Sequence, residues 1–254
     1  MTRAALLALL LLPAIARADD AITLKVLTFN IWYGGDQVSF AKVIEAIRLA
    51  DADVVGLQEP DGKTLQIAAL AGYPYADVRR HLISKYPLFD SGSGEATSTD
   101  APLYSIAGLA PDAVHAWVLV APGKVVAVAN THLTSNPYGP ELIRDGGSAE
   151  AAVALEAETR LPEAQALMDG LKPLADAGVP TILTGDFNSA SHLDWTARAM
   201  AVRPEVKFPV RWPVSALIGA AGFTDSFRAA HPDEAATPRP DLDRRHARAP
   251  DQAR

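Results

Sequence analysis

Asp186 and Asn188 stand two residues apart in the stretch Thr-Ile-Leu-Thr-Gly-Asp-Phe-Asn that ends at position 188. The apolar pair Ile182 and Leu183 is cut off by Gly185, and the chain then delivers both polar groups on one face of an extended segment. A carboxylate there can take a hard cation or a proton, and the amide can bond an oxyanion or an attacking water. Gly, Asp and Asn are also ordinary turn residues, so these letters alone equally describe a strand ending in a turn. Three more apolar runs end the same way, in Asn30, in Glu59 and in His132. Strand ends are where open α/β sheets place their ligands. Singly, Glu59 reads as a capped strand end and His132 as a hydrogen-bonded edge residue. Together the groups suit one chemistry. A hard divalent cation polarises a phosphoryl oxygen, and nearby amides and an imidazole stabilise the charge that builds.

The elements that must position these groups follow from periodicity. Residues 22–30 alternate and turn fully apolar toward Asn30, the pattern of a central strand. Ser39 is an N-cap for a helix to about Ala50, with Phe40, Val43, Ile44 and Ile47 at helical spacing. Residues 53–59 form the next strand, stopped by Pro60-Asp61-Gly62. Strand, helix, strand in that order predicts a parallel crossover with Asn30 and Glu59 at one sheet edge. A helix over 63–70 and short strands at 75–78, 81–84 and 88–90 follow, then a Gly/Ser/Thr-rich loop over 91–101. Strands are expected at 103–107, 114–120 and 124–129, the last two joined by Pro122-Gly123. Residues 134–140 read as a loop. Residues 148–171 read as helical, Pro162 either kinking the helix or opening a second one. A loop over 189–195 enters another helix, residues 213–221 form a further one, and 223–228 read as a strand or edge segment. Ser191 or Asp194 is expected to cap the helix behind Trp195, in preference to His192 and Asp194 reaching toward a substrate. Glu156 and Arg160, four apart, read as a solvated helical ion pair.

Composition narrows the classes. At 254 residues the chain suits one domain with ample length for a core. Its formal charge of -7, with Lys and Arg scattered singly, argues against a broad grip on nucleic acid. Cysteine is absent, so disulfides and thiolate chemistry are excluded and any metal must be held by oxygen or imidazole. Thr2-Arg3, an apolar run from Ala4 to Leu12 and Ala16-Arg17-Ala18 fit an export signal cleaved after Ala18. The expectation is an exported protein, periplasmic or extracellular, with no transmembrane segment after cleavage.

Phe29-Asn30-Ile31, Leu57-Gln58-Glu59, Ile83-Ser84-Lys85-Tyr86-Pro87, Thr131-His132-Leu133 and Gly185-Asp186-Phe187-Asn188 follow one another in a recognisable order. In that order they resemble the endonuclease/exonuclease/phosphatase, or DNase I-like, family, over roughly residues 22–228. The surrounding loops resemble those of a secreted bacterial subgroup. The resemblance implies a four-layer α/β/β/α sandwich of two mixed sheets over a domain spanning 19–230. It implies Mg²⁺ or Mn²⁺ near Asn30 and Glu59, with Glu59 the principal ligand. Asp186 would orient or activate the attacking water, Asn188 would bond the scissile phosphate, and His132 would stabilise the developing charge. The implied activity is phosphoester hydrolysis on a small phosphate-ester substrate by a monomer. An exported nuclease and a non-catalytic phosphate-binding remnant are the alternatives.

The resemblance stops short of the family's C-terminal pattern, a Gly-x-Thr-Trp turn, an R-I-D-Y-like strand and a closing Ser-Asp-His strand. Residues 231–254 read instead as an irregular tail rich in Pro, Asp and Arg. One set of codons for residues 239–243, shifted by a base, reads Gly-Leu-Thr-Trp, so a frameshift near Pro238 is the expectation offered for the tail. With those motifs gone, reduced turnover and unpaired sheet edges are expected.

Overall fold

The computed structural model describes residues 21–90 and 114–239. The stretch expected to be an export signal, the loop expected over 91–101, the strand expected at 103–107 and the residues from Pro240 on lie outside the described residues.

The first parallel crossover forms as its periodicity dictates. Strand β1 (Val26–Asn30) leads into helix α1 (Phe40–Ala50), and β2 (Val54–Gln58) returns alongside β1 with Asn30 opposite Gln58. Ser39 caps α1 through its hydroxyl, which accepts from the Lys42 N–H, and Asp51 ends it in the left-handed region at φ 48°. Helix α2 (Thr64–Ala71) then stops at Gly72, and β3 (Tyr75–Asp77) and β4 (Leu82–Ser84) add antiparallel to β2. The first sheet therefore runs β1-β2-β4-β3. The helices α1 and α2 cover its outer face, where Val43, Ile44, Ile47 and Ile67 pack on Val55, Leu57 and Ile83.

The second sheet runs β5-β6-β7-β8, from β5 (Leu88–Asp90), β6 (His115–Ala121), β7 (Lys124–His132) and β8 (Thr181–Asp186). The β6–β7 hairpin turns at Pro122-Gly123 as its sequence predicts. Between β7 and β8 come α3 (Gly139–Arg144), α4 (Ala149–Thr159) and α5 (Leu161–Asp176). Pro162 opens α5, which resolves the choice between a kink and a new helix. The helix α3 arises inside the stretch expected to begin as a loop, with Pro140 in its first turn. Leu167, Met168 and Leu171 of α5, with Val214 of α7 (Pro213–Ala220), seal the outer face of this sheet.

The two sheets meet face to face over Val54, Leu82, Leu88, Ala116, Val118 and Val128. Four layers result, helices outside and sheets inside. The parallel pairs β1–β2 and β7–β8 both point their C-terminal ends at one edge of the sandwich, with His132 opposite Asp186 in register.

Two expectations need correcting. Strand β1, read as central, has β2 as its one strand neighbour among the described residues and stands at the sheet edge, as β8 does beside β7. Residues 223–228 form no strand. Asp225 accepts from the Arg228 N–H and starts a short helix, α8 (Ser226–Ala230). No helix among the described residues is long and apolar enough to cross a membrane.

Candidate active site

Asn30 is the meeting point of the two sheets. Its amide nitrogen donates to Glu59 Oε1 and to Asp186 Oδ2, each at 2.9 Å. Its amide oxygen accepts from the Trp32 N–H at 2.9 Å, which fixes which way the amide faces. Glu59 Oε2 takes the Tyr33 N–H at 3.1 Å, and Asp186 Oδ1 takes the Asn188 N–H at 3.0 Å. His132 completes the group, its Nε2 lying 3.9 Å from Glu59 Oε1 and 4.0 Å from Asp186 Oδ2. Four of the five residues singled out by sequence thus converge within one or two hydrogen-bond lengths.

Asn188 stands beside them in another capacity. It is 8% exposed, and its amide nitrogen donates to the Leu133 carbonyl at 2.9 Å. The side chain ties the turn after β8 to the end of β7, while its main-chain N–H holds Asp186.

The local backbone is strained where the groups converge. Glu59 (φ 54°) and Asn188 (φ 45°) occupy the left-handed region, as do Trp32 (φ 54°) and Tyr33 (φ 51°) on the loop after β1. Main-chain bonds hold that loop down, from Ile31 N–H to the Gln58 carbonyl and from Gly34 N–H to the Glu59 carbonyl. Lys63 adds a clamp through the Gly34 carbonyl and Asp36.

Beneath the site lies a polar layer between the sheets that sequence reasoning missed. Gln58 donates to Asn130 Oδ1 at 2.6 Å, and the Asn130 amide nitrogen donates to the carbonyls of Leu57 and Arg80. The Thr184 hydroxyl lies 3.0 Å from both Asn130 Oδ1 and the Ala129 carbonyl and donates its one proton to either, and Thr28 Oγ1 accepts from the Gly185 N–H. Gly56 makes room for this layer, since a Cβ there would overlap Thr184 Oγ1 and Asn130 Oδ1. The available signal was polar residues interrupting otherwise apolar runs, Gln58 in β2 and Asn130 in β7.

A second buried network braces the site from the helical side. Glu156 and Arg160 are both wholly buried, so the solvated ion pair expected from their spacing is not found. Glu156 Oε1 accepts from the Ser189 hydroxyl at 2.6 Å and from the Val214 N–H at 3.1 Å. Arg160 donates to the carbonyls of Ser135 and Pro137, fixing the loop that leaves His132. Burial pushes the Glu156 carboxyl above the ordinary carboxylate range and pushes the Arg160 guanidinium down, Glu156 and more distantly Asp186 opposing the latter.

Asp194 and His192 face elsewhere. Asp194 is 1% exposed and paired with Arg228 at 2.9 Å and Arg239 at 3.1 Å. Thr196, rather than Ser191 or Asp194, caps helix α6 (Ala197–Val202). His192 Nδ1 is 3.0 Å from the Ser215 hydroxyl.

The donor set at the sheet ends fits a hard divalent cation. Two carboxylates, neither matched by a Lys or Arg ion pair among the described residues, share one amide, and their oxygens come from different sheets. Among the described residues no group of three or more His, Asp or Glu side chains forms a ready cage. A cation here would therefore rest on one or two carboxylates and keep several waters, the habit of Mg²⁺.

Two mixed sheets packed face to face, helices on both outer faces, and acidic, amide and imidazole groups gathered at common strand ends define a DNase I-like α/β/β/α sandwich. The chain belongs to the Endonuclease/Exonuclease/phosphatase family, whose model matches residues 27–244. That family is hydrolytic and includes nucleases and phosphatases. An uncharacterized protein of Caenorhabditis elegans is 26% identical over 230 residues, covering 85% of this chain and 68% of its own length. No solved structure matches.

Proposed function

We propose that the protein hydrolyses a phosphate ester with the help of a divalent metal ion, by direct attack of water. The observation that carries this reading is the pair of carboxylates, Glu59 and Asp186, held on one amide nitrogen of Asn30 beside His132. Mg²⁺ or Mn²⁺, held by Glu59 with Asn30 alongside, would place positive charge against a phosphoryl oxygen. Asp186, whose oxygens accept from Asn30 and Asn188, would orient a water and accept its proton. His132 would hydrogen-bond the charge developing on the phosphoryl group, its Nε2 lying beside Glu59 and Asp186. Asn188 holds Asp186 through its main chain, and its second amide proton is the one left for a phosphate oxygen.

A small ester is the favoured substrate, since the formal charge of -7 opposes binding of a nucleic acid backbone. Export through the leader and a monomeric state belong to the same proposal, and N-terminal sequencing of the mature protein tests the first. The activity is tested with bis-p-nitrophenyl phosphate, with and without Mg²⁺ or Mn²⁺. Glu59→Gln and Asp186→Asn should each lower metal-dependent turnover at least ~100-fold. Hydrolysis that persists in chelator, or that survives both substitutions, would overturn the reading.

A further inference from the structure

Trp32 and Tyr33 are large apolar side chains left in water, 52% and 56% exposed, on the loop that holds the site carboxylates. Their main-chain N–H groups bond Asn30 Oδ1 and Glu59 Oε2, so both residues begin one hydrogen bond from the site. Both sit in the left-handed region, where a bulky residue is strained. The loop is also held rigid. Gly34 N–H bonds the Glu59 carbonyl, Gly35 N–H bonds the Trp32 carbonyl, and Asp36 N–H bonds the Tyr33 carbonyl. Fold stability asks for neither aromatic: they bury little, and glycine would adopt their backbone without strain.

We propose that Trp32 and Tyr33 form a stacking platform for a planar ring carried by the phosphate ester, and so set which esters are cut. The inference rests on the phosphoester reading above. Exposed aromatic rings carried on a main chain pinned by hydrogen bonds suit a flat partner, since little backbone freedom is left to lose on contact. A flexible acyl chain would need a groove to surround it, which two exposed residues on one turn do not make. An anionic membrane would meet the carboxylates of Glu59 and Asp186 beside the same loop.

The test uses the whole protein in excess Mg²⁺ and two non-hydrolysable probes, methylphosphonate and phenylphosphonate, titrated by calorimetry. Trp32 fluorescence serves as a second readout. The signal is assigned by difference against Trp32→Phe, since Trp117 is also partly exposed while Trp195 and Trp212 are buried, at 2% and 0% exposure. Phenylphosphonate should bind on the order of tenfold more tightly than methylphosphonate. Trp32→Ala should remove most of that preference without weakening methylphosphonate, and Trp32→Phe should restore part of it. Tyr33→Ala provides the same comparison should Trp32→Ala fail to fold. Equal affinity for the two probes, or a preference that survives both alanine variants, would sink the platform. So would a Trp32 emission shift seen with phosphatidylcholine vesicles and not with phenylphosphonate. Absent methylphosphonate binding with ring binding intact would instead sink the phosphoester reading and leave the platform standing.

Discussion

Glu59 Oε1 and Asp186 Oδ2, from different sheets, each lie 2.9 Å from the same nitrogen of Asn30. Their separation therefore cannot exceed two hydrogen-bond lengths. Two acids so placed repel unless a proton, an amide or a cation stands between them. Asn30 supplies the amide. Its orientation depends on the Trp32 N–H, which in turn depends on the strained loop behind it.

Glu156 is the acceptor on which two segments converge, and the effect of removing it depends on what replaces it. Glu156→Ala leaves the Ser189 hydroxyl and the buried Val214 N–H without their acceptor, a loss of about 2–3 kcal/mol. Glu156→Gln keeps an acceptor oxygen and should cost no more than about 1 kcal/mol. Urea unfolding of both variants checks this. Equal losses would show that charge, not the hydrogen bonds, carries the contribution.

Arg160 acts on the loop after His132. Arg160→Met removes both donors to the Ser135 and Pro137 carbonyls and should destabilise by about 2 kcal/mol. Amide exchange over residues 134–138 should quicken more than exchange in β7. Uniform acceleration across the domain would mean the arginine supports packing generally and not the loop.

Gly56 sets how closely the sheets approach below the site. Gly56→Ala forces a Cβ onto Asn130 and Thr184 and should cost about 1–3 kcal/mol, with turnover falling as the strand ends shift. A near-neutral Gly56→Ala, measured by urea unfolding, would mean that the layer is not tightly packed.

His81 links stability to pH. Burial holds its pKa below the ordinary histidine value of 6.5, with Thr64 Oγ1 3.2 Å from its Nδ1. A depressed folded pKa means that the unfolded chain takes up the proton first as pH falls. The stabilisation is complete above pH 6.5 and is lost as pH drops through the folded value. Melting temperature should therefore decline from pH 7 toward pH 5, and His81→Gln should flatten that slope. An unchanged slope in the variant would assign the dependence to other groups.

The strands and most helices were legible because apolar runs and 3.6-residue spacing report burial directly, as in residues 40–47 and 54–57. Helix α8 was not, because Phe223, Asp225 and Phe227 alternate like a strand while the decisive signal was Asp225 as a cap. The position of β1 at an edge was not legible either, since an apolar face against a facing sheet reads like a central strand. At the site, Asn30, Glu59, His132 and Asp186 were legible from their places at strand ends. Gln58, Asn130, Glu156 and Arg160 were missed as a supporting frame because their partners lie far away in sequence. Spacing along one helix says nothing of a hydroxyl or carbonyl brought in by another element.

The central claim is that Glu59 and Asp186 serve one cation, and calorimetric titration with Mn²⁺ or Mg²⁺ tests it most directly. The account predicts that Glu59→Gln and Asp186→Asn each weaken binding at least ~10-fold. It also predicts that the double variant is weakened by less than the product of the two, as neighbours sharing one ligand require. Wild-type affinity in both single variants, or losses that multiply fully in the double variant, would place the two acids at separate sites and contradict it.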